Sequence, residues 1–214
     1  MADIELENNQ VMIVGVVASE FVYSHEVFGE RFYMLDVAVR RLSRVEDIIP
    51  LTISERLIDV TKNYVGKTIQ AKGQFRSYNK REAGRKSLVL SVFVRDIQVL
   101  HEELGKYMPN EIYLDGYICK QPVYRLTPKG REIADMLLAV NRPYGKSDYL
   151  PCICWGRNAR FAGGFDVGKH VLLWGRIQSR TYHKCLEGEQ TIKRTAYEIS
   201  VSKMKCIGQK ELTE

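Results

Sequence analysis

The sequence predicts an all-β protein made of two five-stranded barrels in tandem, each with a short helix between its third and fourth strands. Three observations carry this prediction. Short segments of alternating apolar and polar residues fill most of the chain, and helical periodicity is scarce. Turn residues separate these segments. The second half of the 214 residues repeats the order of the first half at a nearly constant offset, which indicates a duplicated unit.

The first half contains five strand-like segments and one helix-like segment. VMIVGVVA, RFYMLDVAV and IIPLTI predict the first three strands, ERLIDVTKNY predicts the helix, and KTIQAKGQFRS and SLVLSVFVRDIQVL predict the last two strands. Three strands, a helix and two strands are the element order of the OB fold, a Greek-key barrel of five strands. We therefore expect each half of the chain to form one OB-fold barrel.

Matching residues in the two halves define the repeat. Gly15 and Gly116 are 101 positions apart (116 − 15), and four other separated pairs share this offset. Gly73 and Gly175 are 102 apart (175 − 73), because one residue has been inserted between. The repeat predicts two domains at residues 10–100 and 111–207, joined by a linker at 101–110 and flanked by a flexible start at 1–9 and a short end at 208–214.

Composition restricts the classes of function. The net charge of +6 and the pI near 9.0 favour anionic partners. Both halves are basic: Lys and Arg minus Asp and Glu give 14 − 10 = +4 for residues 10–100 and 16 − 9 = +7 for residues 110–207. The apolar runs are too short to span a bilayer, and three acidic residues near the start argue against a secretory signal. Five cysteines, an odd number, predict free thiols in a reducing cytoplasm.

Neither catalytic nor metal-binding spacing stands out. Cys152 and Cys154 form a C-x-C pair whose side chains share one face of a predicted strand. A zinc site needs a second pair of ligands at suitable spacing, and the sequence supplies none, so we expect buried free thiols. The four histidines lie apart from any recognisable nucleophile motif. We therefore expect no enzyme activity, no metal and no cofactor.

Aromatic and basic residues are interleaved between residues 148 and 182. Aromatic rings stack on unpaired bases, and neighbouring cations pair with phosphates, so this pattern is typical of a surface for single-stranded nucleic acid. Rings in alternating strands also serve as barrel core, and for Trp155 and Trp174 that interpretation stays open. The interleaved residues are Tyr149, Trp155, Arg157, Trp174, Arg176, Arg180 and Tyr182.

Several segments of the second half resemble the bacterial and phage single-stranded DNA-binding protein family, in its tandem OB-fold form. They are PVYRLTPKGREIADMLLAVNR, DYLPCICWGRNA, VGKHVLLWGRIQSRTY and AYEISVSKM, in this order between residues 122 and 204. The resemblance covers residues 111–207. Over residues 10–100 it depends partly on the internal repeat.

The resemblance implies a set of DNA-binding residues in the second barrel. Family members stack bases on aromatic rings at four places, which fall on Tyr144, Tyr149, Trp155 and Tyr182. The basic positions near these rings imply phosphate contacts from Arg142, Lys146, Arg157, Arg176, Arg180 and Lys184.

The first barrel departs from this pattern. The repeat aligns Ser43, Ile48 and Ser54 with the first three stacking positions, so only Tyr78, near the last hairpin, is left as a stacking residue. The basic residues persist, and Arg41, Arg76 and Arg81 are the expected phosphate contacts. The first barrel therefore contributes phosphate contacts or a protein interface, with a solvated basic face as the alternative.

The resemblance implies a non-enzymatic protein that binds single-stranded DNA without sequence preference during replication, repair or recombination. It also implies a homodimer presenting four barrels, as in relatives with two barrels per chain, and a cytoplasmic, nucleoid-associated protein. Family proteins usually end in a long tail with an acidic tip, whereas this sequence stops at GQKELTE. We therefore expect no partner recruitment by that route, and a phage, plasmid or specialised paralogue origin.

Two alternatives belong to other classes of function. One is a primosome-type accessory module whose barrels dock replication proteins, which the loss of aromatic residues in the first barrel favours. The other is a binder of single-stranded RNA, because stacking alone does not read the 2′-hydroxyl group.

Overall fold

Strands make up most of the chain, as predicted. The computed structural model describes the backbone of residues 7–82, 85–101, 109–185 and 191–208, without the side chains of 80–87, 144 and 183–193. The first half forms strands β1 (Asn9–Val17), β2 (Val22–Val27), β3 (Glu30–Arg40), β4 (Glu46–Ser54), β5 (Thr68–Glu82) and β6 (Arg85–Leu100). The second half forms β7 (Asn110–Leu126), β8 (Glu132–Asn141), β9 (Ser147–Trp155), helix α1 (Arg157–Gly163), β10 (His170–Cys185) and β11 (Thr191–Cys206).

Each half closes into a five-stranded barrel. In the first barrel, β1 pairs with β3 and with β5, and β6 links β5 to β4 through a parallel pairing with β4. In the second barrel, β7 pairs with β8 and with β10, and β11 links β10 to β9 in the same way. Closure turns alternate residues of each strand towards one interior, which branched apolar side chains fill. The predicted tandem OB-fold barrels are confirmed.

Two glycines allow the barrels to bend. The strand register shifts at Gly73 in β5 and at Gly175 in β10, which marks a β-bulge at the same place in each barrel. A Cβ atom on Gly73 would lie 2.1 Å from the carbonyl oxygen of Phe93, and one on Gly175 would lie 2.4 Å from that of Ser200. Only a residue without a side chain therefore fits at these bends.

The two barrels share a continuous sheet. Strands β1 and β7 pair in antiparallel register, from Asn9 opposite Leu114 to Ile13 opposite Asn110. This pairing provides hydrogen-bond partners for backbone N–H and C=O groups at strand edges that each barrel would otherwise leave exposed. It joins the strands into one eleven-stranded sheet within the described ranges. Val11 and its equivalent in the repeat, Ile112, consequently lie directly opposite each other at the centre of the β1–β7 junction.

The prediction of a helix in the first barrel is wrong. The segment at residues 55–64 forms turns instead. The Asp59 carboxylate accepts hydrogen bonds from the backbone N–H and the hydroxyl of Thr61, at 3.1 and 2.6 Å, and the Asn63 side chain accepts one from the Val65 N–H at 2.8 Å. Such local side-chain bonds compete with helix formation. The corresponding α1 is rich in alanine, which favours the helix.

Strand β2 was not predicted. It lies at one end of the sheet order and pairs with β3 alone among the described strands. Most of its side chains are exposed, so its sequence lacks the alternation of apolar and polar residues that reveals a half-buried strand. The β2–β3 hairpin extends the first barrel at its surface.

Candidate nucleic-acid interface

Strand β9 presents two of the predicted stacking rings on its outer face. Because side chains alternate along a strand, Leu150, Cys152 and Cys154 point into the core and their neighbours point outward. Tyr149 is 49% exposed and Trp155 is 40% exposed. Both rings are therefore accessible to a base, and Trp155 is not a core residue.

The third ring lies at the seam between the barrels. Tyr182 of β10 is 38% exposed and lines a groove of about 410 Å³. Met34 and Pro50 of the first barrel and Pro151 of the second barrel line the same groove. Sequence reasoning did not find Met34 and Pro50, because only the tertiary fold brings them next to Tyr182.

Exposed cations flank these rings. Lys146 precedes β9 and Arg157 follows it at the start of α1, and neither forms an ion pair within the described part of the chain. Arg180 shares the outer face of β10 with Tyr182 and lies 4.0 Å from Glu198, at the limit of an ion pair. Cations on both sides of exposed rings give a surface that suits a phosphate backbone.

The structure describes the side chains of only some of the other predicted residues. Tyr78 is exposed on β5, where it can serve as a stacking ring of the first barrel. The side chains of Tyr144, Arg81 and Lys184 lie outside the described part of the chain. Their proposed contacts with DNA therefore stay predictions.

Arg142, predicted to contact a phosphate, is engaged within the protein. Its Nε atom donates to the Asp148 carboxylate at 2.5 Å, and its Nη2 atom donates to the Ser77 carbonyl oxygen of the first barrel at 3.0 Å. Asp148 is buried and also accepts a hydrogen bond from the Ser77 N–H at 2.5 Å. The Ser77 hydroxyl in turn accepts from the Tyr149 N–H at 2.8 Å.

The same arrangement recurs at Arg41. Its guanidinium donates to the buried Asp47 carboxylate at 2.5 and 2.6 Å and to the Ser179 carbonyl oxygen of the second barrel at 3.4 Å. Asp47 accepts from the Ser179 N–H at 2.7 Å, and the Ser179 hydroxyl accepts from the Ile48 N–H at 3.1 Å. The hydrogen bond to Asp47 raises the pKa of Arg41, so the guanidinium stays charged.

These contacts form an inter-barrel ion-pair network, which reassigns the two arginines. We assign Arg41 and Arg142 to the joint between the barrels instead of to phosphates. Arg176, another predicted phosphate contact, lies 3.5 Å from Asp47 at the edge of the same network. The sequence repeat already contained a sign of this network, because Asp47 and Asp148 occupy equivalent positions, 101 residues apart (148 − 47). The network consists of Arg41, Asp47, Ser77, Arg142, Asp148 and Ser179.

The C-x-C cysteines are core residues, as predicted. Both side chains are buried, and burial raises the pKa of Cys154 to about 12 and holds that of Cys152 well above its usual value. The thiols therefore stay protonated and unreactive at neutral pH. Within the described residues, no three His, Cys, Asp or Glu side chains are grouped as metal ligands. Nor does this part of the chain contain a helix long and apolar enough to cross a membrane.

Comparisons with known proteins relate the second barrel to single-strand binding proteins. Residues 109–207 match the model of the single-strand binding protein family. The single-stranded DNA-binding protein of Halalkalibacterium halodurans is 33% identical over 82 residues, which are 35% of this chain and 49% of the relative. Single-stranded DNA-binding protein A of Bacillus subtilis is 34% identical over 82 residues, or 35% and 48%. The chain thus spans about half the length of these relatives.

A solved structure shares the fold over both barrels. The wild-type single-stranded DNA binding protein of Thermus aquaticus superposes with a TM-score of 0.69 at 19% identity, over 94% of this chain and 93% of that one. This likeness concerns the fold, because the sequence identity is low. The family match carries the relationship: the second barrel, over residues 109–207, is similar to the single-strand binding protein family.

Proposed function

We propose that this protein binds single-stranded DNA without sequence preference and holds it unpaired during replication, repair or recombination. The observation that carries the proposal is the outer face of the second barrel. There Tyr149, Trp155 and Tyr182 are exposed together, with Lys146, Arg157 and Arg180 around them. Three large rings exposed to water beside three cations mark an interaction site, because such a surface is unfavourable on a barrel that binds nothing.

Stacking explains why such binding tolerates any sequence. Every base offers a π-face, and each stacked base contributes roughly 1–3 kcal/mol. Tyr149 and Trp155 are six residues apart on one strand, hence roughly 20 Å at the usual rise per residue. They therefore contact different bases. Tyr182 lies at the seam between the barrels, so a strand of DNA that stacks on it continues from there onto the first barrel.

The proposal predicts a salt-dependent affinity for single strands. Oligo-dT is expected to quench the tryptophan and tyrosine fluorescence, and the quenching weakens as salt rises because phosphate contacts release counterions. With three exposed cations in contact, the slope of log K against log salt is expected to be about −2 or steeper, at about −0.7 per contact. The measurement is a fluorescence titration at several salt concentrations.

An equal-length duplex and oligo-rU serve as the controls for this titration. Weak binding to the duplex is expected, because its bases are stacked on each other and cannot reach the rings. A preference for oligo-rU would redirect the proposal to RNA. Absence of both quenching and binding with every ligand would contradict it and favour a module that docks proteins.

The proposal includes a homodimer, which presents four barrels to the DNA. It is supported by the outer face of β1 and β7, where a cavity of about 790 Å³ is lined by Met12, Tyr113 and Trp174. The rings of Tyr113 and Trp174 contact each other at 5.3 Å within this cavity, whose lining also carries polar and charged side chains, and a second copy seated on the two rings would remove them from water. Sedimentation equilibrium is expected to give twice the 24.7 kDa of one chain. A mass of one chain at every concentration would contradict the dimer.

A further inference from the structure

We propose that the first barrel has a DNA-contact site of its own, built from residues that the second barrel lacks. The site, here called the first-barrel cluster, would bind a phosphate on two arginines and a base on a neighbouring aromatic ring. The inference rests on the proposed binding of single-stranded DNA and extends it to the barrel that has lost the usual rings. The cluster consists of His25, Phe32, Arg76, Phe93 and Arg95.

Side chains from four strands make the cluster continuous. The Arg76 guanidinium on β5 lies 3.9 Å from the centre of the Phe93 ring on β6, and that of Arg95 lies 5.8 Å from the same ring. The Phe93 ring contacts Phe32 of β3 at 5.6 Å. His25 of β2 stacks on Phe32 at 5.1 Å with an interplanar angle of 10°. Cations therefore stand at one end of an aromatic column and an exposed ring at the other.

The cationic end has no directly paired carboxylate among the residues that the structure describes. Neither Arg76 nor Arg95 forms an ion pair with a carboxylate in the described part of the chain, and Arg76 donates to the neutral side chain of Gln74. Burial, followed by repulsion from Arg142 and Arg95, lowers the pKa of Arg76 to about 10, although attraction to Asp148 opposes the shift. A partly buried cation beside two like charges destabilises the free protein. A phosphate placed between Arg76 and Arg95 would remove this penalty.

The aromatic end offers a surface for a base. The ring of His25 is exposed on the side away from Phe32, and its flat stacking on Phe32 shows that the place suits a second planar group. Phe28 stands fully exposed at the tip of the same hairpin, where its φ of 50° and that of 76° at Gly29 close the turn. The column thus has an exposed ring at one end and cations at the other, which are the two kinds of contact that the second barrel also offers.

The repeat shows that this cluster is specific to the first barrel. Its five residues Arg76, Phe32, Phe93, Arg95 and His25 correspond in the second barrel to Gln178, Ile133, Ser200, Ser202 and Leu126, at the offsets of 102, 101, 107, 107 and 101 positions that align the two halves. None of these is aromatic or charged. Conversely, Ser54 stands where the second barrel has Trp155. The two barrels thus place their rings and cations at different points of the same fold.

The test compares two double variants of the full chain, Arg76→Gln/Arg95→Gln and the matched control Lys62→Gln/Lys67→Gln. The control removes the same charge from exposed positions of the first barrel outside the cluster. Each is titrated with dT of about 10 nucleotides, within the site size of one barrel, and of about 35 nucleotides, which covers two. Thermal unfolding establishes that each variant is folded.

The cluster variant is expected to bind the long dT at least ten-fold more weakly than the control. Its salt slope is expected to be smaller in magnitude by about 0.7, because the two arginines together neutralise one phosphate. Its affinity for the short dT, which the second barrel holds, is expected to match that of the control. If the two variants bind the long dT with equal affinity and equal salt slope, the cluster is not a DNA-contact site. The proposed function would be unaffected by that result.

A second variant keeps the test decisive if the arginine variant fails to fold. His25→Ala changes one exposed side chain of the cluster and is expected to weaken binding of the long dT roughly 5-fold or more, with the salt slope unchanged. Wild-type affinity in this variant would overturn the aromatic end of the cluster. Failure of the wild-type chain to bind either dT would overturn the proposed function itself, and the cluster with it.

Discussion

Replacing Tyr149 and Tyr182 together by alanine is expected to weaken binding to oligo-dT by about 2–6 kcal/mol, because each ring stacks on one base at roughly 1–3 kcal/mol. Both rings are exposed, at 49% and 38%, so their loss leaves no cavity in either barrel. The effect is therefore expected in the affinity and not in the free energy of unfolding. Fluorescence anisotropy with labelled oligo-dT measures the first, and urea denaturation measures the second.

Two controls separate stacking from other roles of these tyrosines. Tyr149→Phe/Tyr182→Phe keeps the rings and removes the hydroxyls, so it is expected to retain the wild-type affinity. Tyr117→Ala removes a comparably exposed tyrosine that stacks on His170 at 4.6 Å, away from the proposed DNA path. A folded Tyr149→Ala/Tyr182→Ala variant with wild-type affinity would show that the DNA lies elsewhere.

The strands of both barrels were predictable because burial on one face leaves a two-residue period in the sequence. Such alternation holds for β1 and β9, whose inward residues form the core. It fails for β2, which is exposed on both faces and therefore carries no period. The helix at residues 55–64 was wrong for a different reason, because Asp59 and Asn63 bind the nearby backbone and favour turns.

The exposure of the predicted rings followed from the sequence pattern, whereas the contacts of the predicted arginines did not. A ring at an outward position of a strand, such as Tyr149, is exposed wherever no other element covers it. An arginine takes its role from whichever acceptor comes near. Arg142 was expected at a phosphate and instead lies between Asp148 and Ser77, and Ser77 is 65 positions away in sequence (142 − 77).

The first-barrel cluster was missed for the same reason. Its residues are spread over four strands, and none of the local segments resembles a binding motif. Arg76 was predicted as a phosphate contact, but Phe93 and Arg95 reach it only through the pairing of β5 with β6. A search of the repeat for positions where one half has a ring or a cation and the other has neither would have found them.

Asp47→Ala is expected to lower the free energy of unfolding by about 3–5 kcal/mol, which is the usual effect of removing one partner of a buried ion pair. Asp47 is 0% exposed and accepts hydrogen bonds from Arg41 and from the N–H of Ser179 in the other barrel. Without it, the Arg41 guanidinium and the Ser179 N–H lose their acceptor while still partly buried. Urea denaturation followed by tryptophan fluorescence measures the change.

The neighbouring residue provides a matched control for this prediction. Glu46 pairs with Arg40 at 3.1 Å across the same hairpin, but both side chains are exposed, so Glu46→Ala is expected to cost less than about 1 kcal/mol. Because the same contacts recur around Asp148, Asp148→Ala is expected to cost about as much as Asp47→Ala. Equal small losses for Asp47→Ala and Glu46→Ala would show that the ion-pair network does not hold the barrels together. The β1–β7 pairing would then be the main connection between them.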